Sequence, residues 1–396
     1  LIGFFQKMKA SSNITTNIKR ITGLLMKIAL VHLRHAYSGG VELYLNQMAR
    51  YMAEKGEEVT IICRSHADTP PHPNVKFVKL RGFSIGKSHR LWKFAKAVEK
   101  HVKESDYDLV YGLAHAWTHD VLRIGAGTSL HMARSLNKPM RIKDRVTHLI
   151  EQKAMAPGAY YHVISNSYKS AQEIQEAHHV PKEKITVIHN FVDTKRFDAQ
   201  RVEKEALELK QQMELDPNKP IFLFLGTGYE RKGLKQTLTA FSKLNIDAQL
   251  VVVGRETHEG EYIKFSENLG IQGKCKFIGE DKRPELYFTL ADCYVLPTLY
   301  EPFGFTVIES LACGTPSITT ENCGAKEVLK PEVSSVIGAE VSPEELAKAM
   351  EFWADKKRTT NVSEQCRELA LTMDVETVLE KNYQKLLEIY KIKNNQ

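Results

Sequence analysis

Two rhythms alternate along the chain. Short apolar runs such as "MKIALVHL" and "EVTIICR" read as buried strands. Between these two, Val41, Tyr44, Leu45, Met48, Tyr51 and Met52 recur at helical spacing, and Gly56 can end that helix. Strand, helix, strand in this order opens a parallel sheet, whose ligand is expected beyond the C-terminal ends of the strands. A helical segment near 88–104 and the runs "YDLVYGL", "YHVISNS" and "KITVIHN" continue the pattern. A charged stretch, 194–219, interrupts it, and the pattern then restarts at "PIFLFLGTGYERKGLKQTLTAFSKL", followed by "AQLVVVG", "CKFIG", "CYVLP" and "PSITT". Two doubly wound α/β domains facing each other across a cleft are therefore expected, 26–193 and 194–374. From 363 to 393, Leu369, Met373, Val378, Leu379, Tyr383, Leu386, Leu387 and Tyr390 form a helical apolar stripe. This predicts a tail, 375–396, that packs back on the first domain. Residues 1–25 precede a natural-looking start at Met26 and are expected outside the fold.

Composition narrows the class. Of 396 residues, 42% are hydrophobic and 26% charged, and no apolar run approaches the ~20 residues that span a bilayer. Six scattered cysteines form no C-x-x-C pair, so neither a disulfide framework nor a zinc site is expected; a reduced cytosol fits. Charge is uneven: residues 1–190 carry 28 Lys and Arg against 15 Asp and Glu, whereas 191–396 carry 27 against 33. The surplus gathers in 81–103, with Trp92 and Phe94 among seven basic residues, and in 131–153. Basic residues mixed with apolar ones suit an anionic membrane surface. No nucleic-acid-binding motif accompanies them.

The richest chemistry lies in "LYEPFGFTVIESLACGTP", 299–316. Gly304 permits close backbone approach, and the helix that follows offers unpaired N–H groups to a phosphate. Glu301 and Glu309 flank that site without filling it, and a carboxylate can accept two hydrogen bonds from a vicinal diol. The stretch 291–329 resembles the signature of glycosyltransferase family 4, group 1, in which seven residues separate two glutamates. Further landmarks run from Met26 to about residue 390: Gly39-Gly40 in the first loop, "VIHNFVDTKRF" at the first domain's end, and "ERKG" in the second domain's first loop.

The resemblance implies a GT-B fold, two Rossmann-like domains with a C-terminal helix crossing back. It also implies a nucleotide-sugar donor, with Glu309 on the ribose, Glu301 against the transferred sugar, and Phe303, Gly304, Phe305 and Thr306 around sugar and diphosphate. Arg231 and Lys232 are the expected cations for the departing diphosphate. Thr227 stands where many members have arginine, and Phe191 where an Asn-Gly-Val-Asp motif has glycine. The adjacent Arg-Lys pair resembles lipopolysaccharide-core α-glucosyltransferases, which implies UDP-glucose, retention of configuration, a glycan or lipid-linked glycan acceptor, and work on the cytoplasmic face of the inner membrane. No metal or other cofactor is expected: Asp106-Tyr107-Asp108 matches D-x-D but stands at a strand's entry, away from the ligand end. "GLAHAWTHD", 112–120, follows a strand, so His115, His119 and Asp120 are expected to face the cleft, where they would contact the reacting sugar or accept the acceptor's proton. An epimerase of the same fold and a non-catalytic nucleotide-sugar binder are the rival readings.

Overall fold

A computed structural model describes residues 25–395 except Ser38. The extension expected for 1–25 thus lies, Leu25 apart, outside the described residues. Seven strands form the first sheet: β1 (Lys27–Val31), β2 (Glu58–Cys63), β3 (Lys76–Lys79), β4 (Leu109–Gly112), β5 (Val121–Ile124), β6 (His162–Ser165) and β7 (Ile185–Val187). Their order is β3-β2-β1-β4-β5-β6-β7. Six strands form the second: β8 (Ile221–Leu225), β9 (Gln249–Val253), β10 (Cys275–Gly279), β11 (Cys293–Val295), β12 (Ser317–Thr320) and β13 (Ser334–Ile337), ordered β10-β9-β8-β11-β12-β13. Every pairing is parallel, with registers such as Lys27↔Glu58 and Ile28↔Leu109.

Helices cover both faces, which is why β1 and β8 read as unbroken apolar runs with Ile28–Val31 and Ile221–Phe224 fully buried. Each sheet reverses its winding once, between β1 and β4 and between β8 and β11. Ligands of such sheets bind at the reversal. The loops after these four strands therefore line the cleft.

The chain crosses between domains near Val192, whose N–H donates to Met373 O at 2.9 Å. The apolar tail is two helices rather than one. Val362–Leu371 stays with the second domain, where Val362, Cys366 and Ala370 join the core. Asp374 caps the second helix, Val375–Asn394, through the Glu376 N–H. This helix buries Val378, Leu379, Tyr383, Leu386 and Ile389 in the first domain's core. Polar ties fix its register: Tyr44 donates to Asn382 at 2.8 Å, Tyr383 bonds Glu57, and Lys393 donates to Asp120 at 3.0 Å.

The basic segments differ from expectation in one respect. Phe94 is a core residue, and Trp92 packs on Trp117 at 4.9 Å between ring centres. The exposed apolar side chains of these segments are Phe83, Ile85, Ile142 and Leu149. A helix with apolar residues on its buried face must turn them inward, and Phe94 lies on that face beside Leu91, Ala95 and Val98. Among the described residues no helix is long and apolar enough to cross a membrane.

Candidate active site

β11 runs into the turn 299–304, and Gly304, with φ 108°, redirects the chain into the helix Phe305–Ala312. No side chain caps that helix; Val307 N donates to Gly304 O at 3.1 Å, and the amides of Phe305 and Thr306 have no partner among the described residues. Across the cleft the Gly39-Gly40 loop opens the helix Gly40–Glu54. A Cβ on Gly40 would stand 3.0 Å from the Phe305 ring, so any larger residue would require the ring to give way at this approach of the two domains. Phe191 completes the contact, stacked on Tyr44 and edge-on to Phe305 at 6.0 Å. It is a plug between the domains where a glycine would leave a gap.

Glu301 Oε2 accepts from Arg231 Nη1 at 2.8 Å and from Lys232 Nζ at 3.3 Å. The same Arg231 nitrogen donates to Tyr300 O at 2.7 Å. Burial works against ionisation of Glu301, but Lys232 and Arg231 hold its carboxyl down to about 2. It is thus an anion locked between two cations, which keep further N–H groups for a phosphate. Glu309 is the opposite case. No hydrogen bond or ion pair holds its carboxylate among the described residues, and burial pushes it up to about 7, against the weaker pull of Arg196 and Lys232. Two acids one helix apart are thereby kept in different protonation states near neutrality, an arrangement typical of functional sites.

The remaining donor residues divide. Thr306 Oγ1 accepts from Tyr294 OH at 2.8 Å, which orients the first turn of the helix. Phe303 departs from its expected role. Its side chain is buried against His189 and Phe305, and its carbonyl accepts from Ala325 N at 2.7 Å. It supports the turn from below. Gly39, with φ 105°, starts the helix that carries Glu42; despite burial, His32 and Arg34 hold the Glu42 carboxyl down to about 2.

On the first-domain side a cavity of about 690 Å³ opens between the loop 113–116, the loop 125–128 and the helices Ser129–Ser135 and Ile142–Ala154. His32, His115, Arg123 and Glu151 are among its lining, and Glu230 reaches it from the second domain. His115 meets the cleft as expected. Its backbone sits at φ 60°, and burial, reinforced by His32, pushes its imidazole down to about 4, so it is neutral at pH 7.

Asp120 and His119 require correction. The loop begins at the cleft end of β4 but descends to the opposite edge of the sheet, where β5 starts. There Asp120 accepts from Val110 N at 2.7 Å and from Lys393 at 3.0 Å, far from the glycine loops. His119 is buried on the way down, hydrogen-bonded with Ala154 O at 3.1 Å. Asp108 accepts from Lys27 N and Asp106 pairs with Lys27 at that same edge.

Sequence reasoning missed the ties across the cleft. Tyr300 donates to Glu173 at 2.7 Å, Ser167 to Pro302 O at 2.7 Å, and Glu327 accepts from the amides of Tyr168 and Lys169, both at 2.8 Å. Lys138 pairs with Glu230 at 2.5 Å over the cavity. Arg123 lies 3.7 Å over the Tyr44 ring and donates to Asn190 at 2.7 Å. A glycine-rich loop directly after a strand, "GAGTS" at 125–129, was the available signal for the cavity wall.

The sequence model described as Glycosyl transferases group 1 matches residues 205–373, and that described as Glycosyltransferase Family 4 matches 38–196. An uncharacterised glycosyltransferase of Methanocaldococcus jannaschii is 25% identical over 346 residues, 81% of this chain and 87% of the relative. The crystal structure of WaaG, a glycosyltransferase involved in lipopolysaccharide biosynthesis, superposes with a TM-score of 0.79 at 18% identity, covering 91% of this chain and 99% of WaaG. HepE of Anabaena in complex with UDP-glucose gives 0.70 at 19% identity, covering 92% and 100%. The two matched segments fall on the two domains, the fold is GT-B, and the chain belongs to glycosyltransferase family 4, group 1.

Proposed function

We propose that the protein is a retaining hexosyltransferase that moves glucose from UDP-glucose to a hydroxyl of an anionic, lipid-linked glycan, with no metal on the diphosphate. The observation that carries the donor half is the Glu301–Arg231–Lys232 cluster set beside the free helix amides at Gly304, with the unpartnered Glu309 one turn further on. Arg231 and Lys232 supply charge where the leaving diphosphate develops it, and the amides add oriented dipoles. Glu309 offers its oxygens to the ribose diol. Glu301, anchored by the two cations, faces the hexose and holds the pair in place. The UDP-glucose complex of HepE supports the choice of donor.

The 690 Å³ cavity on the opposite wall favours transfer over epimerisation, because an epimerase has no second substrate to seat. Retention places the attacking hydroxyl on the face from which the diphosphate leaves. The bond from C1 to the β-phosphate oxygen breaks, the bond from C1 to the acceptor oxygen forms, and the acceptor proton passes to the departing β-phosphate. The protein then acts by positioning and charge stabilisation. His115, neutral and at the mouth of the cavity, serves as a hydrogen-bond partner to the sugar. A depression of about 680 Å³ at the outer ends of β1–β3, lined by Arg34, Arg64, Arg81 and Arg90, suits phosphate or carboxylate groups on the acceptor. WaaG, with its part in lipopolysaccharide biosynthesis, points the same way.

Incubation with UDP-glucose and phosphorylated core oligosaccharides tests the reading. UDP release together with an α-linked glucosylated product is expected in NMR spectra. A second nucleotide-sugar formed without acceptor would indicate epimerisation, and binding without turnover on any acceptor would indicate a sensor.

A further inference from the structure

Behind the cavity wall, His148, Glu151 and His178 converge. His148 and Glu151 stand three residues apart on the helix Ile142–Ala154 and so share a face. His178 is the last residue of the helix Tyr168–His178. One potential ligand atom from each lies within 4.8 Å of the other two. Glu151 Oε2 is 3.6 Å from both His148 Nδ1 and His178 Nε2, too far for a hydrogen bond to either. The His178 side chain is 1% exposed.

Independently, buried polar atoms in proteins almost always have partners. Among the described residues seven buried side-chain atoms have none, and three of the seven are His148 Nδ1, His178 Nδ1 and His178 Nε2. Two imidazole nitrogens and a carboxylate oxygen are the donor set of His₂Glu zinc sites. Ligand atoms of a tetrahedral zinc ion stand about 3.3 Å apart, given metal–ligand bonds near 2.0–2.1 Å. The two 3.6 Å separations need only a slight contraction to reach this. Ser129, whose hydroxyl donates to Glu151 Oε2 at 2.7 Å and whose amide donates to Oε1 at 3.2 Å, fixes the carboxylate from outside, as neighbours of metal ligands do.

We infer that His148 Nδ1, Glu151 Oε2 and His178 Nε2 supply three ligands to Zn²⁺ or a like divalent transition ion, with water completing the tetrahedron. Such an ion satisfies two of the three orphaned nitrogens. It also ties the helix that lines the cavity with Thr147, Ile150 and Glu151 to the helix whose first turn holds Glu327 of the second domain. Because Thr147, Ile150 and Glu151 line the cavity, the ion would brace the acceptor wall.

The test uses the full chain, stripped with EDTA and dialysed, then titrated with Zn²⁺. One equivalent is expected to bind and to raise Tm, and Co²⁺ in its place should give the intense visible bands of a tetrahedral nitrogen–oxygen site. His148→Gln and His178→Gln should each abolish the stoichiometric binding and the shift in Tm. If the buried His178 variant fails to fold, His148→Gln decides alone, since its side chain is 21% exposed. Zn²⁺ that binds the His148→Gln chain as it binds wild type, or no stoichiometric binding to wild type, overturns the inference. Initial transfer rates at 25 °C should be equal with and without EDTA. EDTA should at the same time lower the Tm of the zinc-loaded chain, and a Tm that EDTA does not move overturns the inference.

Discussion

At the scale of single residues, Glu309 is placed at a cost to stability. An unfolded glutamate ionises near 4.3, while Glu309 in the fold ionises at about 7. The folded protein therefore binds this proton more tightly. Its contribution to stability is fully present below the unfolded value and is lost as pH rises from there through about 7. At pH 8 the ionised, unpartnered carboxylate costs on the order of 3–4 kcal/mol. Glu309→Gln should therefore melt above wild type at pH 8, with the gap narrowing toward pH 5. The same change should weaken UDP-sugar binding at pH 8 by ~10-fold or more, since the diol loses a charged acceptor. Wild-type affinity should climb as pH passes 7 relative to that of the variant. Parallel pH profiles for the two proteins would remove Glu309 from the ribose. Glu301 obeys the opposite rule: held at about 2, it stays ionised throughout this window and adds no pH dependence there. Glu301→Gln leaves Arg231 and Lys232 with surplus charge, so kcat should fall more than donor affinity in steady-state kinetics.

Individual elements decide which residues reach the cleft, and β5 is the instructive case. Asp120 serves the C-terminal helix: one carboxylate oxygen bridges the Val110 amide at 2.7 Å and Lys393 at 3.0 Å. Asp120→Asn should lower stability by ~1–3 kcal/mol, the range for a charged hydrogen bond, while kcat per folded molecule stays within about twofold of wild type. A large fall in kcat with Tm unchanged would return Asp120 to the reaction. The reason its place was not legible is physical. β5 has four residues, Val-Leu-Arg-Ile, and its buried arginine breaks the apolar run; Arg123 lies over the Tyr44 ring and donates to Asn190. With β5 invisible, the loop 113–120 reads as lying wholly at the cleft. The same reasoning covers β3 and β13, short edge strands with exposed residues. Where a glycine, a strand end and a helix start coincide, as at Gly39-Gly40 and at Gly304, pattern and structure agree. Local chemistry there specifies the conformation. The break at Thr372–Asp374 escaped a periodicity that runs on through two helices, since both bury apolar faces, each in a different domain.

For the whole molecule, charge and shape point to the same surface. Leaving aside the first 24 residues, 25–190 still carry 24 Lys and Arg against 15 Asp and Glu, whereas the donor half is net acidic. A soluble neutral acceptor would give no reason for that asymmetry. On the rim of the first domain, Phe83 and Ile85 are 83% and 72% exposed, with Arg81, Lys87 and Arg90 around them in sequence. Arg81 and Arg90 also face the arginine-lined depression. Two bare apolar side chains among cations suit an anionic bilayer, on which the Phe83 ring and the Ile85 chain would enter the headgroup region and each nearby Lys or Arg would add ~1 kcal/mol. An acceptor glycan held by its lipid would then rise past the arginines toward the cavity at His115. The protein should float with anionic liposomes at low salt and not with neutral ones. Recovery should fall as the Debye length shrinks from ~10 Å at 0.1 M to ~3 Å at 1 M. Phe83→Ser with Ile85→Ser should cut recovery at low salt without altering Tm or UDP-glucose binding, because neither side chain touches the core or the donor site. Equal flotation with neutral and anionic vesicles, or none with either, would detach the enzyme from the membrane and make a soluble anionic glycan its acceptor.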